Sequence, residues 1–173
     1  KALSSAYLPI SAVMLSEKVY APVAKQAEQL GIFGHGYTYS AHPVCAAVAL
    51  RAQQLIQERD IIGHVRRVAP QLKIRIERLA RFDFIGHLRA IGLIGAMEFA
   101  ANSQTGEKFD PTQKIAAQAV AIIQRHGVIL RALPGDIIGF CPPLIITAAE
   151  IDDMFDRIES GLDEFSELAA NLR

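Results

Sequence analysis

The sequence predicts an α/β chain whose later part is a small α+β unit. Two patterns carry this prediction. In three long segments after residue 60, apolar side chains recur every three or four residues, as they do on one face of an amphipathic helix. Between these segments lie short apolar runs that are broken by a glycine or by a Pro-Gly-Asp turn, which is typical of paired strands.

The first sixty residues predict one strand and two helices. Residues 10–16 contain a short apolar run, as a buried strand does. Ser16 is a suitable cap for a helix that Gly31 ends. A second helix is expected from Pro43 to about Glu58. Its many small side chains predict close packing against another backbone, and therefore deep burial.

A long helix is expected from Asp60 to about Phe82, with Pro70 inside it. Proline lacks the backbone N–H of a helical hydrogen bond, so it should kink or split this helix. The basic residues lie off the apolar stripe and, with the net charge at zero, predict a solvated face rather than a nucleic-acid surface. They are Arg66, Arg67, Lys73, Arg75, Arg78 and Arg81.

Further elements are expected after this helix. They are two strands within residues 87–99 with Gly92 between them, a helix from Asp110 to Gly127, strands at residues 128–130 and 137–140, and a last helix that opens on a capping box of Thr147 and Glu150.

The composition argues against several function classes. Lys+Arg and Asp+Glu number 18 each, so no basic excess favours nucleic acid or an anionic membrane as partner. No apolar run reaches the length of a membrane span. Cys45 and Cys141 lie far apart, which is typical of a cytosolic protein rather than a disulfide scaffold. We therefore expect a cytoplasmic protein without nucleic-acid or membrane partners.

An anion site is predicted at Gly34-His35-Gly36-Tyr37-Thr38-Tyr39-Ser40-Ala41-His42-Pro43. The glycines let the backbone lie close to a ligand, and hydroxyls follow at Tyr37, Thr38 and Ser40. Pro43 suits the start of a helix, whose free N–H groups and roughly half a unit of positive charge attract phosphate. An ordinary glycine loop with a Ser or His cap is the alternative. The two histidines lack a third ligand at metal spacing, so no metal is expected.

This loop and the start of the chain together resemble the class III aminotransferases, which use pyridoxal 5′-phosphate. The start reads Lys1-Ala2-Leu3-Ser4-Ser5-Ala6-Tyr7-Leu8-Pro9-Ile10-Ser11, and the active-site segment of that family reads Lys-Gly-Leu-Ser-Ser-Gly-Tyr-x-Pro. Ala2 and Ala6 stand where glycine is commonest. The form Ser-Ser-Ala-Tyr-x-Pro-Ile-Ser is most similar to the amine:pyruvate (ω-transaminase) branch.

The resemblance implies roles for four residues. Lys1 is the expected catalytic lysine, which carries the cofactor as a Schiff base. Thr38 is expected to reach the cofactor phosphate across the interface of a homodimer, and Tyr37 belongs to the same cofactor-binding group. Arg131 lies in a segment similar to the one where this branch keeps a mobile arginine for the substrate carboxylate. A surface arginine beside a turn is the alternative reading of Arg131.

The resemblance also implies the organisation and the reaction. The chain is expected to be the C-terminal portion of a longer polypeptide. Residues 1–59 would end the large cofactor-binding domain of a fold type I transferase, and residues 60–173 would form its small α+β domain. The expected reaction moves an amino group between an amine or ω-amino acid and a 2-oxo acid such as pyruvate. The alternatives are an enzyme for 4-aminobutyrate, ornithine or diaminopelargonate precursors, or a phosphate-binding or dimerisation module without chemistry.

Overall fold

The computed structural model describes residues 2–172. The chain divides into two compact units, Lys1–Asp60 and Ile61–Arg173. Their assignment to the end of a large domain and to a small domain stays a prediction.

The first unit is helical where it is regular. A 3₁₀ turn at Ala2–Ser4 is followed by α1 (Glu17–Leu30) and α2 (Pro43–Glu58). The 3₁₀ turn packs on α2, where the Gln53 side-chain amide donates hydrogen bonds to the carbonyls of Ala2 and Leu3 at 3.2 and 3.1 Å. Gly31 ends α1 in the left-handed region, with φ 69°, as predicted. Ser16 stands at the N-cap of α1, but its side chain makes no capping hydrogen bond.

Two predictions for the first unit are wrong. The strand predicted for residues 10–16 is absent, and Val13 and Met14 are 84% and 92% exposed. A strand gains its backbone hydrogen bonds from a neighbouring strand, and the described residues of this unit form none. The deep burial expected of α2 is also not found. Ala49 is its one buried residue, because the 3₁₀ turn covers only part of the helix.

The second unit contains a four-stranded antiparallel sheet with the strand order β1-β2-β4-β3. Its strands are β1 (Ile85–Ile91), β2 (Ile94–Phe99), β3 (Arg131–Leu133) and β4 (Ile137–Phe140). The hairpin of β1 and β2 confirms the two strands predicted around Gly92, which takes φ 56° in the turn. Strands β3 and β4 form a second hairpin, whose connection is residues 134–136.

Three helices complete this unit: α3 (Ile61–Arg78), α4 (Ile115–Arg125) and α5 (Ala148–Asn171). They form one core with the sheet, and its largest fully buried side chains are Phe84, Phe99, Phe140, Phe155 and Phe165. Helices α4 and α5 approach closely at Gly161, where an added Cβ would lie 2.9 Å from the Ile123 Cα. The predicted capping box of Thr147 and Glu150 opens α5, with both of its hydrogen bonds present.

The two faces of the sheet have different surroundings. One face packs on the helices, and Gly95 lies so close to α3 that an added Cβ would be 2.2 Å from the Ile76 Cδ1. Strand residues alternate between faces, and the buried positions of β2 and β4 are Gly95, Met97, Phe99, Ile138 and Phe140. The opposite face, or outer face, carries His87, Arg89, Ile91, Ile94, Ala96, Glu98, Arg131, Leu133, Ile137 and Gly139.

Element boundaries differ from the sequence prediction in three places. The helix predicted to reach about Phe82 ends as α3 at Arg78 and is followed by a 3₁₀ turn at Leu79–Arg81, and of the kink or split predicted at Pro70 the split is absent. The helix predicted from Asp110 is two elements, a 3₁₀ turn and α4, separated by Lys114 in the left-handed region at φ 51°. Each element has its own carboxylate cap, because Asp110 accepts the Thr112 N–H and Asp136 accepts the Ala116 N–H at 3.1 Å.

The third difference is the strand predicted at residues 128–130, which lies at Arg131–Leu133 instead. The turn fixes the register of a hairpin. Because Leu133 pairs with Ile137 across residues 134–136, the partners of β4 are the three residues nearest the turn. The apolar run at residues 128–130 lies before β3 and is not part of a strand.

One basic residue of α3 is also placed differently from its prediction. The sequence predicts Arg75 on the solvated face, but this residue is 5% exposed. Its guanidinium donates to Asp152, Asp156 and Glu159 of α5 at 3.3, 2.5 and 2.9 Å. Burial opposes its charge, but the hydrogen bond and charge of Asp156, together with the other two carboxylates, leave the pKa of Arg75 above its usual value.

Candidate functional site

Lys1 lies outside the described residues, but the turn that follows it is well defined. Ser4 is buried, and its hydroxyl donates to the Leu8 carbonyl at 2.6 Å and accepts the Leu8 N–H at 3.4 Å. Ser5 and Ala6 both have positive φ, at 50° and 62°. The left-handed region favours glycine, which gives a physical reason for glycine being commonest in the family at the position that Ala6 occupies.

The glycine loop forms a turn just before α2. The Ser40 hydroxyl accepts the Tyr37 N–H at 3.1 Å, and the Ser40 N–H donates to the Tyr37 carbonyl at 2.9 Å. Thr38 lies at the exposed tip of this turn. Neither its hydroxyl nor its N–H has a hydrogen-bond partner within residues 2–172. Thr38 therefore presents two donors that the loop itself does not use.

These donors fit a phosphate group. Charged oxygens accept strongly from hydroxyl and backbone N–H donors, and Thr38 offers one of each. At Gly34 and Gly36 an added Cβ would meet nothing within 4 Å, so packing inside this unit does not require glycine there. His42 stands at the N-cap of α2 without a side-chain capping hydrogen bond, so the His cap of the alternative reading is not formed. Pro43 occupies the first turn of α2 as predicted.

Arg131 begins β3, one of the two edge strands of the sheet. It pairs with Gly139 of β4, and Gly139 pairs in turn with Ala96 of β2. The side chain is exposed, and no hydrogen bond or ion pair ties its guanidinium to another residue of the described chain. Arg131 is thus a free cation on the outer face.

A charged network, which the sequence reasoning missed, shares the outer face with Arg131. The Arg89 guanidinium donates to the Glu98 carboxylate at 3.2 Å, and the Lys108 ammonium contacts the other oxygen of the same carboxylate. The hydrogen bond from Lys108, followed by that from Arg89, holds the pKa of Glu98 below its usual value, although partial burial opposes the shift. The period-two alternation of β1 and β2 is the signal that places Arg89 and Glu98 on one face.

A cavity of about 430 Å³ lies beside this network. Glu98 and Lys108 form one side of it, and the β3–β4 turn and the start of α4 form the other. Its remaining lining is mostly apolar and includes Phe109, Pro111, Leu133 and Ile137. Within residues 2–172, no three metal-ligating side chains converge, and no helix is both long and apolar enough to cross a membrane.

Comparison with known proteins decides the family. The family model named Aminotransferase class-III matches residues 1–162, which is most of the chain. The chain belongs to the class-III aminotransferase family. Enzymes of this family use pyridoxal 5′-phosphate as cofactor, and the class-III segment that the model matches includes the Lys1 motif, the glycine loop and Arg131.

The curated relatives include an aminotransferase whose name gives no substrate and a gamma aminobutyrate transaminase. The chain is 38% identical over 164 residues to the uncharacterized aminotransferase y4uB of Sinorhizobium fredii, covering 94% of the chain and 35% of the relative. It is 37% identical over 173 residues to the mitochondrial gamma aminobutyrate transaminase 1 of Solanum lycopersicum, covering 100% of the chain and 33% of the relative. The chain thus spans about a third of the length of these class-III relatives.

Solved structures of similar fold are also transaminases. A transaminase with L-ala superposes with a TM-score of 0.91 at 40% identity, covering 96% of this chain and 39% of the other. The ω-transaminase of Pseudomonas jessenii in complex with PMP superposes with a TM-score of 0.90 at 31% identity, covering 96% and 37%. These likenesses place the chain in the α/β fold of the class-III aminotransferases.

Proposed function

We propose that this chain is part of a pyridoxal-phosphate-dependent transaminase that moves an amino group between an amine or ω-amino acid and a 2-oxo acid such as pyruvate. The observation that carries the proposal is the class-III match over residues 1–162, which begins at the lysine of the active-site motif. The ω-transaminase names of several structural neighbours support the choice of substrates.

The cofactor would be held by Lys1 at the start of the chain and by the glycine loop. Lys1 would attach it covalently, and its amine would move the proton at the substrate Cα. Thr38 would donate its hydroxyl and N–H to the phosphate, with Tyr37 beside it. When bound, pyridoxal 5′-phosphate supplies an electron sink for the Cα–H electrons. We propose further that Thr38 serves the cofactor of a second subunit, so that the working enzyme is a homodimer.

Arg131 would bind the carboxylate of the 2-oxo acid. Its guanidinium is exposed and is not engaged by any carboxylate of the described chain. Guanidinium and carboxylate match in a bidentate pair, which fixes orientation as well as position. A substrate without a carboxylate does not need this contact.

Transfer from 4-aminobutyrate is the second candidate, because several relatives carry that name. A panel of amino donors with pyruvate as acceptor separates the two candidates by the rate of alanine formation. Turnover of several amines and ω-amino acids supports the first proposal, and turnover confined to 4-aminobutyrate supports the second. Failure of every donor to produce alanine contradicts both. The mitochondrial and chloroplastic names among the relatives leave the cytoplasmic location a prediction.

A further inference from the structure

The outer face holds two arginines in one transverse row. Arg89 of β1 pairs with Ala96 of β2, Ala96 with Gly139 of β4, and Gly139 with Arg131 of β3. Directly paired residues of antiparallel strands point to the same face. Between the two arginines the row therefore carries only a methyl group and a hydrogen, so no side chain of this row stands in the path of the Arg131 guanidinium over the sheet.

Glu98 is the single carboxylate among the strand residues of the outer face. It lies on β2 two residues beyond Ala96 and two strands away from Arg131. With neighbouring strands about 4.8 Å apart and a rise of about 3.4 Å per residue, the Cα atoms of Glu98 and Arg131 are about 12 Å apart. An extended arginine and an extended glutamate together span that distance. Glu98 could therefore capture Arg131.

Two cations already occupy Glu98. Arg89 donates to one oxygen at 3.2 Å, and Lys108 contacts the other. The carboxylate and its two partners carry a combined charge of +1, which repels a third cation instead of attracting it. Arg131, on the same face, has no such partner in the described chain. The lowered pKa of Glu98 is consistent with this full engagement.

We propose that Arg89 and Lys108 are positioning residues that keep Glu98 occupied, so that Arg131 stays available to the carboxylate of a 2-oxo acid. This inference rests on the proposed role of Arg131 in substrate binding. Arg89 and Lys108 do not touch the substrate. They act by engaging Glu98, the one carboxylate among the strand residues of the outer face, which would otherwise compete with the substrate.

The size of the effect follows from the competition. A binding group that is withdrawn part of the time weakens the apparent affinity in proportion to the fraction that remains available. An exposed ion pair is weak, so once its own partners are gone we expect Glu98 to hold Arg131 in about half to four fifths of the molecules, and the apparent KM for pyruvate to rise about two- to fivefold. A carboxylate-free amine does not use the contact with Arg131, so its half-reaction keeps its rate.

The test compares R89Q/K108Q with R89Q/K108Q/E98Q in the cofactor-loaded enzyme. The double variant should raise the apparent KM for pyruvate about two- to fivefold with little change in the amine half-reaction. The triple variant should restore the KM, because the competing carboxylate is gone. A crystal structure of the double variant gives a second readout, in which Arg131 pairs with Glu98. Arg125→Gln, which breaks an exposed ion pair between α4 and α5, is the matched control and should leave the KM unchanged.

Each outcome decides the question. If R89Q/K108Q leaves the apparent KM for pyruvate unchanged while Arg131→Ala raises it, the inference is overturned and the proposed function stays intact. A raised KM that E98Q does not restore also overturns it, because the loss would come from packing. If Arg131→Ala itself leaves the apparent KM for pyruvate unchanged, the proposed carboxylate site is wrong, and the inference that rests on it is wrong as well.

Discussion

Arg131 faces Gly139 directly across β3 and β4, so the arginine stands opposite a position without a side chain. Its aliphatic stem can therefore tilt over β4 as well as extend into solvent. An arginine with this freedom can meet a carboxylate in one half-reaction and move aside for an apolar amine in the other.

Replacement of Arg131 with alanine should separate the two half-reactions. We expect the apparent KM for pyruvate to rise about tenfold or more, because a hydrogen bond to a charged group contributes about 1.5–3 kcal/mol. The half-reaction with a carboxylate-free amine should change little. Stopped-flow absorbance of the cofactor follows each half-reaction separately. Equal losses in both would indicate a structural role for Arg131.

Thr38→Ala should weaken cofactor retention more than it slows turnover of the loaded enzyme. The cofactor phosphate loses one hydroxyl donor, which corresponds to about a tenfold or greater rise in its dissociation constant. Titration of pyridoxal 5′-phosphate into the apoenzyme measures this constant. Thr38→Ser keeps the hydroxyl and is the matched control. If the alanine variant and the wild type bind the cofactor with equal affinity, the loop is an ordinary glycine turn and does not bind the phosphate through Thr38.

Lys1 should carry the cofactor. Borohydride reduction of the holoenzyme, followed by peptide mass mapping, should find a phosphopyridoxyl group on this residue. The expectation comes from the motif that begins at Lys1. Modification of Lys18 or Lys25 with an unmodified Lys1 would contradict the assignment.

Ala6→Gly should stabilise the turn that follows Lys1. A left-handed residue other than glycine carries a strain of about 1–2 kcal/mol, and glycine removes it while making the unfolded chain more flexible. A net gain of about 0.5–1 kcal/mol is expected in denaturant unfolding. Ala2→Gly, in the 3₁₀ turn, should give no gain. Destabilisation by Ala6→Gly would mean that the positive φ carries no strain.

Arg75→Ala should destabilise the second unit by about 3 kcal/mol, since removing one partner of a buried ion pair typically has an effect of this size. The loss leaves Glu159, which is only 13% exposed, without its close partner on α3. Arg157→Ala removes an exposed pair with Asp153 and should have an effect below about 1 kcal/mol. Denaturant unfolding of both variants checks the contrast, and similar losses would show that burial of Arg75 is not the cause.

Periodicity in the sequence predicted the helices of the second unit and its first hairpin, because each helix buries one face of its own residues, but it placed β3 three residues too early. It could not predict the burial of Arg75, whose partners on α5 lie about eighty residues away in the chain. The engagement of Glu98 was missed for the same reason, since Lys108 comes from the loop after β2. Residues 10–16 show the opposite error. Their apolar run has the composition of a strand, but composition does not supply a pairing neighbour.

The Asp136 carboxylate joins the β3–β4 turn to the start of α4, where it accepts the Ala116 N–H. The length of this three-residue turn is therefore constrained by the helix that it caps. An insertion there would uncap the helix and shift the pairing of Arg131 in one event. Libraries that vary this region should accordingly diversify side chains such as Leu133 and Ile137, and leave the number of residues between the strands unchanged.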